Sequence, residues 1–460
     1  MNKNEVLFQE IIVQVNALID SEKILDLNEY IDELHPRDIS EILIELQEEK
    51  KIKLFEILPL EVAAKVLDDL DSDMFTTILS KISIDHKKRI LDLMSQDDMV
   101  DILSDLSEEK RHEIINLLDK ELAQDIKELL VYDEDSAGGI MTTDFVVLSK
   151  DITCYAAIEY LRENAPDAET IYYVYVVDKN DKLVGVISLR ELIVSKPDTI
   201  IEDVMSEKVI DVNVNDDQEE VARIVSKYDL LAIPVTDING KIRGIITVDD
   251  IIDVIQEEAT EDIYKFAGTS EAESEYLEDI KFFPKVISAV KARLPWLLIT
   301  LIGGTLSAKI LGKYEDTIKA YAAVSFFMPL LTGMGGNVGT QSSTLTVRGL
   351  ATGHIDQKNA VKTISQEMSI GLSVGIICSF IICIVAYLWI GDFRLGIVVG
   401  IAMAANMLTA ATIGTLVPII FKRLGVDPAV ASAPFISTTL DITGLTIYFT
   451  LTTAFLLKFS

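Results

Sequence analysis

The sequence predicts a multi-domain protein: an α-helical superhelical N-domain, an α/β tandem pair, a long connecting helix and a five-helix transmembrane domain. Three observations predict it. Apolar positions recur at helical spacing in short blocks up to about residue 130, a strand-and-helix unit then occurs twice, and five long apolar runs follow Arg293. A chain of 460 residues has room for this many parts.

Charge divides the chain in the same way. Residues 1–292 hold 30 Lys and Arg against 67 Asp and Glu, a net of −37, whereas residues 293–460 hold 11 against 7, a net of +4. So acidic a part repels nucleic-acid phosphate, which excludes DNA and RNA as partners and favours divalent cations as counter-ions. The three cysteines (Cys154, Cys378, Cys383) and four histidines (His35, His86, His112, His354) form no CxxC pair or His cluster. Zinc sites, iron–sulfur sites and a disulfide scaffold are therefore not expected. No nucleophile–base pair or phosphate-cradling loop appears, so an enzyme is not expected either. MNKNEVLFQEIIVQV lacks the basic–apolar–small pattern of a signal peptide, and the acidic part is expected to stay in the cytoplasm.

Residues 1–131 form the acidic N-domain. ISEILIELQ, VAAKVLDDL, MFTTILSKI, KRILDLM, MVDILSDL and EIINLL are successive apolar-periodic pieces separated by polar turns, as in a stacked helical array. Within it lie Asp97, Asp98, Asp101 and Asp105.

Residues 132–256 repeat themselves. Met141–Ile193 and Met205–Ile255 each read strand, helix, strand, turn, strand, helix. This resembles the cystathionine-β-synthase (CBS) module pair, with copies at 132–200 and 201–256. In the second copy Thr247 and Asp250 match the T-x-x-D that contacts ribose in that family; the first copy has the looser Ser188–Glu191. The resemblance implies a regulatory site for ATP or another adenine nucleotide in some such pairs and none in others.

The connecting (plug) helix and linker, 257–292, continue an acidic run. Asp249, Asp250, Asp253, Glu257, Glu258, Glu261 and Asp262 put seven carboxylates in fourteen residues. Like charges one turn apart cost about 0.2–0.5 kcal/mol per pair. Bound divalent ions or a basic partner would offset that cost; a solvated acidic face is the plain alternative.

In 293–460 the apolar runs are Leu294–Leu311, Ile318–Met334, Ile364–Ile390, Leu395–Phe421 and Pro428–Leu457. Each approaches the ~20 residues that span a bilayer. Arg348, Lys358, Lys362, Lys422 and Arg423 then fall inside, and Lys313, Lys319, Arg394 and Lys458 outside. This agrees with the positive-inside rule and puts the C-terminus outside. In PLLTGMGGNVGTQ (Pro329–Gln341) four glycines predict a broken helix, either covered by protein at membrane depth or forming a turn below it. Asp441 is the one charged residue between Asp427 and Lys458. A mid-span Asp costs ~2.5–3.5 kcal/mol and usually faces a bundle interior or an aqueous path; a protonated Asp bonded to a neighbouring helix is the plain alternative. With Ser437, Thr438, Thr439 and Thr443 beside it, Asp441 suits a hydrated hard cation. Glu367 reads as an interfacial charge, and Asn406, Pro418 and Pro434 as packing features.

Taken in order, YDEDSAGGIMTTDF (Tyr132–Phe145), TVDDIIDVIQEEATEDIYK (Thr247–Lys265), PLLTGMGGNVGTQSSTLTVRGLATG (Pro329–Gly353) and DPAVASAPFISTTLDITGLTIYF (Asp427–Phe449) resemble the MgtE family of magnesium channels over essentially the whole chain. The resemblance implies a homodimer in the plasma (inner) membrane, multi-pass, with Asp441 lining a pore on the two-fold axis. Gly336 and Asn337 are the further pore-lining candidates. It also implies that cytosolic Mg²⁺ closes the pore through Asp97, Asp101, Asp217, Glu219, Asp229, Asp250, Asp253, Glu258, Glu261 and Asp262. Two residues depart from the pattern. Lys65 stands where relatives can present a Glu ligand, and Ala433 replaces a polar residue. The rival readings are a membrane-anchored CBS-domain cation sensor without transport and a coupled Mg²⁺/Co²⁺ transporter.

Overall fold

The computed structural model describes residues 3–21, 23–164, 170–269, 282–356 and 358–457. Lys458 and the 270–281 stretch of the expected linker lie outside the described residues. The chain divides into two compact units, Met1–Val254 and Ile255–Ser460.

In the first unit the described residues open with α1 (Lys3–Asp20), α2 (Ile24–Ile31), α3 (Pro36–Glu45), α4 (Glu48–Glu56), α5 (Leu60–Asp68), α6 (Ser72–Lys81), α7 (Ile84–Leu91), α8 (Gln96–Asp105), α9 (Glu108–Ile115) and α10 (Lys120–Leu129). The polar turns supply their caps. Asp71, Ser83 and Asp119 accept from the backbone N–H of Met74, His86 and Lys120 and start α6, α7 and α10. The apolar faces bury Leu43, Phe55, Leu67, Phe75 and Ile90 almost completely. Each such side chain contributes ~1.5–3 kcal/mol.

The repeat follows as β1 (Val147–Ser149), α11 (Cys154–Asn164), β2 (Tyr173–Val177), β3 (Leu183–Ser188) and α12 (Leu189–Val194). Its second copy is β4 (Val212–Asn213), α13 (Gln218–Tyr228), β5 (Ala232–Thr236), β6 (Ile242–Thr247) and α14 (Val248–Ala267). In each copy the first strand pairs parallel with the second, and the second antiparallel with the third. The lead-in segments cross over. Gly138 and Thr142 donate to the Val214 and Ile245 carbonyls of the second copy, while Ser206 and Val186 exchange hydrogen bonds with each other. Met141 accordingly lies against Gly244 and Met205 against Gly185, where a side chain in place of either glycine would collide with the methionine. One continuous core runs from the array into the second copy through Met99, Leu103, Ile246, Ile251 and Val254. The first copy keeps its own core around Val174, Val176 and Ile187.

The boundary between units falls within α14. The second unit contains α15 (Phe282–Lys313), α16 (Glu315–Ala320), α17 (Met328–Ala351), α18 (Ala360–Ile390), α19 (Phe393–Arg423) and α20 (Ala433–Thr452). Among the described residues three stretches are long and apolar enough to cross a membrane: Ala289–Lys313, Ala360–Ile390 and Phe393–Arg423. α17 and α20, at 24 and 20 residues, have the length but are diluted by Gly, Ser and Thr. α18 turns Ile376, Ile377, Phe380 and Leu388 outward, as lipid requires.

Two expectations fail here. The second apolar run is not one span: α16 and a 3₁₀ turn at Ala322–Phe327 precede α17. Pro329 then falls on the first turn of α17, where its missing N–H costs nothing. Nor do the glycines break α17, which is continuous to Ala351. They let neighbours approach instead: Gly339 stands against Leu440 and Ile436 of α20 and against Gly414 of α19. Small residues serve this purpose in lipid, where tight packing replaces the hydrophobic drive between helices. Likewise Pro434 opens α20 rather than bending it.

Candidate cation sites

Strand β6 ends at Thr247, and α14 starts with its carboxylates on the first turn. The Asp250 carboxylate accepts from Thr247 Oγ1 at 2.6 Å and Thr247 N at 3.2 Å. Burial of Ile251 and Val254 presses this turn against the array. Asp97, on the first turn of α8, is only 8% exposed. Burial, followed by the charge of Asp97, pushes Asp250 up to about 7. Asp98 is also raised, by burial and by Asp69, Asp249 and Asp253, against a lowering hydrogen bond from Ser95. Asp68 is pushed up to about 8 by burial, Asp98, Asp69 and Asp97, with Lys65 working in the other direction. Its Oδ1 is buried without a hydrogen-bond partner among the described residues. Arg37 pairs with Asp69 and faces Glu41 and Asp253.

Of the expected ligands, then, Asp97, Asp250 and Asp253 meet. The sequence reading missed Asp68 and Asp69 as members of this group, although both stand in the piece VAAKVLDDL. Lys65 lies near Asp68, and the array and the second copy share one core. Asp217 caps α13, accepting from Glu219 N at 2.9 Å, and Asp229 ends it with a left-handed φ of 52°. These flank an 11-residue helix at opposite ends, about 18 Å apart, too far to share one ion. Glu219 sits on the first turn of α13, and Asp101 is exposed on α8 one turn after Asp97.

At the far end of α14, in the second unit, Glu258, Glu261 and Asp262 gather near Asp427. Burial, then Asp427 and Glu258, push Asp262 up to about 6. Lys265 bridges Glu261 and Asp427, the latter at 3.0 Å; these bonds outweigh its burial and hold its charge. Gly268, at φ 77°, ends the helix against Pro434 and Trp296.

Asp441 is half-buried on α20 and has no hydrogen-bond or ion-pair partner among the described residues. The hydroxyls beside it are occupied: Ser437, Thr438, Thr439 and Thr443 all bond to carbonyls of their own helix. A methyl at Gly336 would lie 3.6 Å from Ser437, one turn from Asp441, and Asn337 is exposed. Glu367 accepts from Ser342 of α17 at 2.8 Å, which accounts for its charge within the bundle. Among the described residues no three His, Cys, Asp or Glu side chains close into a finished metal cage. The first copy of the repeat also carries a groove of about 680 Å³, lined by Tyr172, Tyr173, Arg190, Glu191, Ile193 and Leu231.

Residues 34–135 match the MgtE intracellular N domain, 137–196 and 201–257 match CBS domains, and 328–451 match the MgtE divalent cation transporter family. The magnesium transporter MgtE of Enterococcus faecalis is 43% identical over 337 residues, 73% of each chain. The chain belongs to the MgtE family of magnesium transporters. The Thermus thermophilus family member is 41% identical over 70% of this chain and 71% of its own. The crystal structure of the cytosolic domain of the Mg²⁺ channel MgtE in complex with ATP superposes with a TM-score of 0.51 at 36% identity. It covers 53% of this chain and 99% of that one. The helical N-domain, the CBS pair and a helical C-terminal region therefore stand as the sequence predicted.

Proposed function

We propose that this chain carries Mg²⁺ across the plasma membrane as a homodimer, with Asp441 in the ion path, Gly336 and Asn337 beside it, and the N-terminal domains in the cytoplasm. One observation carries this reading: a carboxylate on a membrane helix with no partner among the described residues to offset its charge. A hydrated cation supplies that partner, because Mg²⁺ keeps several waters and needs only one or two carboxylates. Two subunits related by a two-fold axis offer a pair of them.

Gating follows from the acidic surfaces. The residues fit a divalent ion, since buried carboxylates around Asp68 and Asp250 raise one another toward neutrality with Arg37 and Lys65 beside them. Mg²⁺ bound by Asp97, Asp250 and Asp253, and by Glu258, Glu261 and Asp262 further along, relieves that repulsion and stabilises the closed arrangement by mass action. Asp101, Asp217, Glu219 and Asp229 complete the set as separate sites.

A second ligand is favoured by the groove of the first copy. Tyr172 and Tyr173 offer faces for a base, Glu191 a ribose contact and Arg190 a phosphate contact, which suits an adenine nucleotide such as ATP. Asp250 of the second copy makes the same bonds to Thr247 that Glu191 makes to Ser188, but it is buried and faces Asp97. The test is Mg²⁺ flux into liposomes holding the purified chain. Mg²⁺-selective uptake that closes as Mg²⁺ rises on the cytoplasmic side is expected. Uptake abolished by dissipating an ion gradient would favour the coupled transporter, and no uptake the sensor.

A further inference from the structure

Asn406 of α19 is 1% exposed. The interior of a membrane bundle offers a buried amide no water, so a hydrogen bond left unmade carries its full desolvation cost. Its Nδ2 donates to the Leu331 carbonyl of α17 at 2.6 Å. Its Oδ1 has no hydrogen-bond partner among the described residues. A Cβ built on Gly335 of α17 would stand 2.6 Å from Nδ2, and one on Gly444 of α20 would stand 2.6 Å from Oδ1. The amide is wedged between two glycines on two different helices, and a methyl at either would push it aside. An apolar side chain of similar shape would fill the same space with no orphaned oxygen, so what the amide alone supplies is the tie to α17. Gly336 follows Gly335 directly, and Asp441 precedes Gly444 by less than one turn. The slot therefore adjoins both groups of the proposed ion path.

We infer that Asn406 is a positioning residue for transport: its amide ties α17 to α19 and sets the spacing of α17 from α20, and with it the width of the path at Asp441. The inference rests on the Mg²⁺-transport reading above. Asn406 itself does not touch the ion.

The test measures initial Mg²⁺ uptake against Mg²⁺ concentration in liposomes, beside thermal unfolding of each variant in detergent. Asn406→Leu should unfold no earlier than the unmutated chain yet lose at least tenfold in uptake, with its half-saturating Mg²⁺ displaced. Gly335→Ala and Gly444→Ala should each lose at least tenfold. Asn406→Ala combined with Gly444→Ala should recover at least threefold over Asn406→Ala alone, because the added methyl occupies the space of Oδ1. Unchanged uptake and half-saturation in Asn406→Leu would overturn the inference, and so would a pair that recovers nothing. Where Asn406→Leu does not accumulate, the pair decides. An unmutated chain that takes up no Mg²⁺ overturns the transport reading and this inference together; uptake with indifferent variants overturns the spacer alone.

Discussion

Glu191 and Asp250 occupy the same place in the two copies of the repeat, on the first turn of the helix that leaves the third strand. Both accept from the backbone N–H and hydroxyl of the residue three before, Ser188 in one copy and Thr247 in the other. They are nevertheless shifted in opposite directions. The hydrogen bonds from Ser188 hold Glu191 below its ordinary value, because solvent covers the rest of it. Burial against the array and the charge of Asp97 drive Asp250 up to about 7 despite the same two bonds. One local motif thus remains a solvated helix cap in one copy and becomes a buried acid pushed toward neutrality in the other, and packing alone decides which.

The comparison can be pushed to its limit at Asp441, which has neither a cap nor neighbouring acids. Asp441→Asn should cut Mg²⁺ uptake about a hundredfold, since losing a charge-assisted contact costs ~2–3 kcal/mol and each 1.36 kcal/mol is tenfold in rate. Folding and membrane insertion should be preserved, as an uncharged span inserts more easily. Near-normal uptake by the liposome-reconstituted variant would remove Asp441 from the path.

Next in size is Asp250→Asn. It should move the Mg²⁺ concentration that closes the channel upward by about tenfold, within the usual 1–3 kcal/mol of coupling between sites. Patch recordings or liposome flux at graded cytoplasmic Mg²⁺ would show this. A midpoint that stays put would make Asp250 a cap like Glu191.

The third prediction concerns pH. Asp68 and Asp250, with ordinary values of 3.8, are raised in the folded chain to about 8 and about 7. Protons therefore favour the folded form: the stabilisation is complete below about pH 4 and is lost as pH rises through 7 and 8. Without divalent ions the first unit should lose on the order of 4 kcal/mol between pH 6 and 8.5. Faster proteolysis of the metal-free full-length chain at pH 8.5 checks it, and saturating Mg²⁺ should flatten the slope. Glu191, being lowered, contributes stability above its ordinary 4.5 and loses it only in acid, so it adds nothing across this window.

The smallest effect belongs to Glu191→Ala. Removing one arm of a capping box should cost less than about 1 kcal/mol, with the Mg²⁺ midpoint unchanged in nucleotide-free solution. A shifted midpoint would mean that the two copies differ less than their surroundings suggest.

Helical periodicity made the array and the long membrane helices legible, because a buried face leaves its mark every three or four residues. The repeat showed in its paired methionines and glycines. What lay beyond reach was the crossover, since nothing local in Met141 says that it packs on Gly244 of the other copy. The glycines of α17 were misread for a related reason. Helix propensity measured in water counts Gly as a breaker, but here the neighbouring helices need its missing side chain. Asp97, Asp250 and Asp441 could be found in the sequence as carboxylates without matching bases. Asp68 could not be told from a solvated charge, because its burial depends on α8 folding back over it.

The single helix α14 belongs to both compact units, being cut by their boundary after Val254. Its 20 residues make a rod about 30 Å long. An uninterrupted helix resists bending, so it acts as a lever whose two arms move together. A tilt of roughly 10° about the Asp250 end would sweep the Lys265 end, about 22 Å away, through about 4 Å. On a rod of this length a rotation too small to disturb the first turn is already a displacement of several ångströms at the last.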